Sequence, residues 1–413
     1  MTRLTGERRR ILVLSPFPPR LDGRHGGSRA VAQLVAGLAP RHTIGLLVLR
    51  DHDEPGVDDE LRAVCDLVVE VEIPKVGRSL RARIANRLRM LKALVRNIPS
   101  WAAERSAPDF EARLRELLDE WRPDVVQLEY RIMGQYLPAV RAGRQPCVLV
   151  DPDPDGPELV PSTLLAAAER RAWASLGRAI SEQVDALVVF TERDRRVVSA
   201  LAGSTPVVCI PLAFDLRDRP LDPAGAEDHR VLWVGSFVHP PNVDAAFRLA
   251  RDIFPAVRDC VSDATLELVG SHATPEVRAL ADGGVTVWAD VPDVRPHLDA
   301  AAVLVAPLRS GGGMRVKMLE GLAAGKAIVA TSLALEGLDV AEGEGVRVAD
   351  TDEQFVAAIV ELLTSARTRT ALARAGRAWA EQHLNMDSQV RAYEDLYASL
   401  LTPRAQPLDG EGV

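Results

Sequence analysis

The chain has 413 residues, 47% of them hydrophobic and 26% charged, with a net charge of −8. That length predicts two domains of ordinary size, and the acidic balance excludes a protein-wide attraction to nucleic acid. No segment approaches membrane-spanning length, and the scattered cysteines Cys65, Cys147, Cys209 and Cys260 read as the buried, reduced thiols of a cytoplasmic protein.

Residues 11–16, ILVLSP, form the short apolar run of a strand buried on both faces of a parallel sheet. The basic residues 1–10 before it make no signal segment, because the run is too short and prolines stop it. A polar loop, PPRLDGRHGGSR, leads into a helix expected from about Ala30 to Ala39. Gly26 and Gly27 in that loop read either as a plain turn or as part of an acceptor-side site, and His25 is a catalytic candidate beside a solvated reading. Strands are expected at 43–49 and 64–73, and the strand, loop, helix, strand order implies a doubly wound α/β unit.

Residues 76–103 differ in character: Arg78, Arg81, Arg83, Arg87, Arg89, Lys92 and Arg96 stand there with no acidic residue, and Leu80, Ile84, Leu88, Leu91 and Val95 recur at helical spacing. Such a basic amphipathic helix is either a solvated face or a peripheral contact with an anionic membrane at its inner surface. Beyond it come a helix at 109–121, strands at 124–130 and 147–151, a helix near 162–183, a strand at 186–191, a helix at 192–201 and a strand at 206–211. Glu129 ends one of these strands; Asp151 and Asp153, in DPDPD, follow another. The three are acceptor-side candidates, although a simple turn suits DPDPD as well.

The stretch 215–230 is polar and turn-rich and is the expected linker. A second α/β series follows, with strands at 231–236, 265–270, 285–290, 302–307, 327–331 and 345–350, and helices to about Leu401. Trp233 and Trp288 are expected in the core rather than as stacking platforms. The expected division is 1–215 for an N-terminal Rossmann-like domain, 216–385 for a C-terminal one, and 386–413 for a helix crossing back and a tail. Two parallel sheets in tandem bring their strand C-terminal ends together across a cleft, where ligands of such sheets bind.

The most informative segment is APLRSGGGMRVKMLEGLAAGKAIVAT, from Ala306. Gly311, Gly312 and Gly313 precede a helical pattern whose expected first turn carries Arg315 and Lys317. Cations at a helix N-terminus are electrostatically misplaced unless an anion sits there. Glycine N–H groups and two basic side chains converging on one spot suit phosphate. Glu320, one turn beyond Lys317, is a carboxylate in an apolar setting and requires a partner.

These residues, with SPFPP…GGSR, DVVQLEY, LVVFTERDRR, VCIPLAFD and VLWVGSFVHPPNVDAA, closely resemble the GT-B glycosyltransferases of family four, the retaining enzymes that use a nucleotide-sugar donor. The resemblance covers nearly the whole chain. It implies two Rossmann-like domains facing a cleft, the donor on the C-terminal side, and a glycan, lipid-linked or small-molecule acceptor on the other. It also implies donor contacts from Gly235, Asn242, the backbone at Val291, Gly311–Gly313, Arg315, Lys317 and Glu320. Relatives hold two glutamates separated by seven residues in this segment; Glu320 matches the one that binds the donor ribose, and Gly312 stands where the other would be. Many relatives also have Gly-Arg after the first strand of this domain, where this chain has Gly235 and Ser236, and a histidine near Gln127 and Glu129.

Arg315 and Lys317 are therefore expected to stabilise the departing diphosphate, as catalytic groups, without a metal or other cofactor. A nucleotide-sugar epimerase or hydrolase, or an inactive nucleotide-binding subunit, are the alternative readings. A dinucleotide-dependent oxidoreductase is disfavoured, because neither first strand leads into GxGxxG.

Overall fold

The computed structural model of the protein describes residues 8–23, 26–73, 80–152, 164–214, 216, 229–311 and 315–402. His25, Asp153, Gly312, Gly313 and most of the expected linker lie outside the described residues.

The first sheet comprises β1 (Arg10–Ser15), β2 (Thr43–Asp51), β3 (Leu67–Ile73), β4 (Val125–Glu129), β5 (Cys147–Val150), β6 (Ala186–Val189) and β7 (Val207–Cys209). All its pairings are parallel, in the order β3-β2-β1-β4-β5-β6-β7. The second sheet comprises β8 (Arg230–Val234), β9 (Thr265–Gly270), β10 (Val285–Ala289), β11 (Val303–Ala306), β12 (Ala327–Ala330) and β13 (Val346–Val348), also parallel, in the order β10-β9-β8-β11-β12-β13. Two Rossmann-like parallel sheets are thus present, as expected.

The apolar strand runs follow from this architecture. Successive side chains of β1 point to opposite faces: Leu12 and Leu14 join one core, Ile11 and Val13 the other, and all four are buried. The helix Met386–Leu401 returns from the second sheet and packs on the helix Gly26–Leu38. Val390, Tyr393, Leu396 and Tyr397 enter the core beneath β1 and β2. The Gln389 side chain donates to the Pro211 carbonyl at 3.0 Å.

Several local expectations are corrected. The strand expected from 64 begins at Leu67, because Asp59–Val64 forms a short helix capped by Asp58, whose carboxylate accepts from the Leu61 N–H at 2.8 Å. The helix expected at Ala30 begins at Gly26 and so absorbs the GGSR stretch. Trp288 is 44% exposed, because β10 is an edge strand; its ring meets that of His297, centroids 5.3 Å apart, and stays partly open to water. Cys147 is buried, but Cys65 and Cys209 are half-buried and Cys260 is exposed. Among the described residues, no helix is long and apolar enough to cross a membrane.

Candidate functional site

In both sheets the strand order reverses between two central strands, β1 and β4 in the first, β8 and β11 in the second. Ligands of open α/β sheets bind beyond the strand C-termini at such reversals. Loops at the strand C-terminal ends of both sheets line a cleft of about 1390 Å³, with Glu129 and Asp151 on the N-terminal side and Gly235, Asn242, Val291, Gly311, Arg315, Lys317 and Glu320 on the other. That exceeds the ~300–1,000 Å³ of an ordinary single-ligand pocket and leaves room for two substrates.

On the C-terminal wall, the helix Val316–Ala323 takes Lys317 into its first turn, as expected, and leaves Arg315 just before it. Arg315 is its N-cap residue, mostly buried, and donates to the Gly311 carbonyl through Nη2. Lys317 lies within the first turn. Its Nζ donates to Asn242 Oδ1 at 3.0 Å and stands 5.0 Å from the centre of the Trp233 ring. Burial, and secondarily the charge of Arg315, push the Lys317 ammonium down to about 7, while Glu320 opposes the shift.

Asn242 is itself fixed by its amide, which donates to the Ser236 carbonyl at 3.0 Å. Glycine at 235 permits this packing: a Cβ there would lie 2.7 Å from the Trp233 ring and 3.0 Å from the Asn242 amide carbon. Asn242 therefore orients the Lys317 cation. His239, at the N-cap position of the helix Pro240–Arg248, makes no capping bond through its side chain. It stands exposed at the cleft, where partial desolvation, with the nearby Lys317 charge, lowers its imidazole pKa.

The partner that Glu320 requires comes from the other domain. Arg29, on the helix Gly26–Leu38, donates from Nε to Glu320 Oε1 at 2.7 Å and forms an ion pair through Nη2. Its Nη1 donates to the Gly23 carbonyl at 2.5 Å. The two helices meet closely here, since a Cβ at Gly26 would lie 2.7 Å from the Val316 side chain. Gly26 thus serves the contact between domains. A separation of 291 residues hides the Arg29–Glu320 pair from any reading of local pattern.

On the N-terminal wall, Glu129 ends β4 and is 2% exposed. Burial raises its carboxyl to about 7, and a hydrogen bond from Gln127 Nε2 to Oε1, 2.5 Å long, only partly offsets the rise. Tyr397, on the returning helix, donates to Gln127 Oε1. Glu129 is therefore divided between acid and carboxylate near neutral pH. Asp151, at the end of β5, is buried against Arg131, whose Nε donates to Oδ2 at 2.9 Å. Val291 lies beside Asp290, whose carboxylate accepts from the His272 N–H at 2.9 Å and fixes the loop after β10.

Residues 228–365 match the model of a family described as glycosyl transferases group 1, a span that includes Gly235, Asn242, Arg315, Lys317 and Glu320. No curated protein sequence matches the chain. Solved structures match nearly all of it. A sucrose-phosphate synthase from Thermosynechococcus elongatus is 16% identical, with a TM-score of 0.71, over 95% of this chain and 99% of the other. HepE from Anabaena, solved with UDP-glucose, is 14% identical, with a TM-score of 0.65, over 95% and 100%. A variant of TarM from S. aureus, solved with fondaparinux, alpha-GlcNAc-glycerol and UDP, is 10% identical, with a TM-score of 0.66, over 94% and 99%. The architecture is the two-domain GT-B fold.

Proposed function

We propose that the protein is a glycosyltransferase that moves a sugar from a nucleotide-sugar donor to a glycan, lipid-linked or small-molecule acceptor, with retention of anomeric configuration. The observation that carries this reading is the convergence of Arg315, Lys317 and Glu320 on the C-terminal wall of the cleft, within the span matching the glycosyl transferase model. The ligands named for HepE and TarM, UDP-glucose and UDP, support it from outside.

Rupture of a sugar–phosphate bond builds oxocarbenium character on the sugar and negative charge on the leaving diphosphate. Arg315, Lys317 and the backbone of the glycine loop receive that diphosphate. Their positive charge stabilises the transition state more than the ground state. These cations perform the neutralisation that a metal would otherwise supply, so no metal is required. Glu320 receives the ribose hydroxyls. Arg29 holds one of its oxygens, so the donor is gripped where the two domains touch. Val291 lends backbone to the base. Across the cleft, Glu129 in its acid form donates a hydrogen bond to a sugar hydroxyl, and Asp151 accepts one from the acceptor.

Product analysis tests the reading. With nucleotide sugars chosen by thermal shift and a panel of acceptors, proton NMR of the anomeric centre is expected to show a glycoside with the donor's configuration. Free sugar or an isomerised nucleotide sugar as the only product would replace transfer by hydrolysis or epimerisation; an inverted glycoside would remove retention alone.

A further inference from the structure

The helix Leu80–Val95 carries a surface that the donor site does not use. Of the ten large hydrophobic side chains exposed among the described residues, four fall in this helix and the turn after it. Leu88, Leu91, Val95 and Ile98 are 61%, 57%, 78% and 40% exposed. At helical spacing Leu88, Leu91 and Val95 fall on one narrow stripe. Ala93, on the opposite side, is buried where the helix packs on its neighbours Ser100–Glu104 and Leu164–Ser181. The apolar stripe is thus the outer face.

Arg87, Lys92 and Arg96 are exposed around the stripe, and residues 76–103 contain no acidic side chain. The chemistry favours one occupant. A second copy of the chain would set this all-cationic helix against another of the same sign. A free polyanion would leave the apolar stripe in water. An anionic bilayer satisfies both features, since headgroups meet the cations while the stripe enters the acyl boundary. The rest of the protein carries the negative charge, which makes this helix the end that turns toward such a surface. Arg89 of this helix, with Trp101 and Arg105 just beyond it, lines the cleft. A bilayer on the stripe therefore adjoins the N-terminal, acceptor side of the cleft.

We propose that residues 87–98 dock the protein on an anionic membrane and that its acceptor is lipid-linked, entering the cleft from that surface. The docking stands by itself; the acceptor class rests on the glycosyltransferase reading.

Co-sedimentation of the full chain with phosphatidylcholine vesicles, with and without phosphatidylglycerol, tests the docking. Binding is expected only to the phosphatidylglycerol vesicles, and salt weakens it. Each cation near an anionic surface contributes on the order of fivefold, so a combined Arg87→Gln, Lys92→Gln, Arg96→Gln variant binds roughly 100-fold more weakly. A Leu88→Ser, Leu91→Ser, Val95→Ser variant weakens binding as well. All six side chains are exposed, and both variants are expected to keep the wild-type thermal shift with nucleoside diphosphate. Absence of vesicle binding in the wild type, or binding unchanged in both variants, overturns the proposal. Lipid-free self-association abolished by the serine variant would also overturn it, by assigning the stripe to a second copy. Vesicle binding without nucleotide binding would leave docking intact and defeat the glycosyltransferase reading instead.

Discussion

Arg315→Ala is expected to lower kcat about 100- to 1,000-fold while raising the donor KM far less. The guanidinium sits at the N-cap of the helix Val316–Ala323, bonded back to the Gly311 carbonyl, so its direction is set before any ligand arrives. A fixed cation aimed at a leaving diphosphate acts mainly where charge develops, and removing one such preorganised group costs about 3–4 kcal/mol of transition-state stabilisation. Arg315→Lys should restore only part of the rate, because an ammonium is a point charge without the planar fork. Steady-state kinetics with the donor identified by thermal shift checks this. A fall confined to KM would make Arg315 a binding group only.

Nucleoside-diphosphate affinity is expected to fall as pH rises from 7 to 9, by up to tenfold per unit. Desolvation, and secondarily the charge of Arg315, push the Lys317 ammonium down to about 7. A bound diphosphate favours the charged form and raises that pKa. Below 7 the lysine is already protonated and no proton is taken up. Above 7 binding must add one, and affinity drops until the pH reaches the pKa of the complex. Phosphate oxygens titrate near 6, below this window. Calorimetry at pH 8 in two buffers of different ionisation heat should show uptake approaching one proton. Lys317→Arg, which stays charged, should flatten the profile; a flat wild-type profile would contradict the lowered lysine pKa.

The two sheets were legible because their strands are nearly unbroken apolar runs, ILVLS in β1 and VLWV in β8, which only a doubly covered parallel sheet buries. The helix Asp59–Val64 was not, being short and dependent on the Asp58 cap. Trp288 misled because an aromatic residue in a strand reads as core, and sequence does not reveal that β10 lies at the sheet edge. At the site, the residue types of RSGGGMRVKMLEG pointed to an anion and a carboxylate in need of a partner. What pattern could not supply was the wiring: Asn242 and Trp233 around Lys317, and Arg29 on Glu320 from the opposite domain. Each joins segments far apart in the chain: the pairing of β8 with β11 in one sheet brings Trp233 and Asn242 to Lys317, and the meeting of the two domains brings Arg29 to Glu320. Arg29 had one signal, a cation beside Gly26 and Gly27 in a loop expected to face the cleft.

The central claim is that the cleft seats a nucleotide through Glu320 and its neighbouring cations. Isothermal titration of the best nucleoside diphosphate into wild type and Glu320→Ala tests it most directly. The wild type should bind, and the variant should bind roughly 10- to 100-fold more weakly, the loss of a charge-assisted hydrogen-bond acceptor. Equal affinity in the two proteins, or no binding by the wild type, would contradict the assignment.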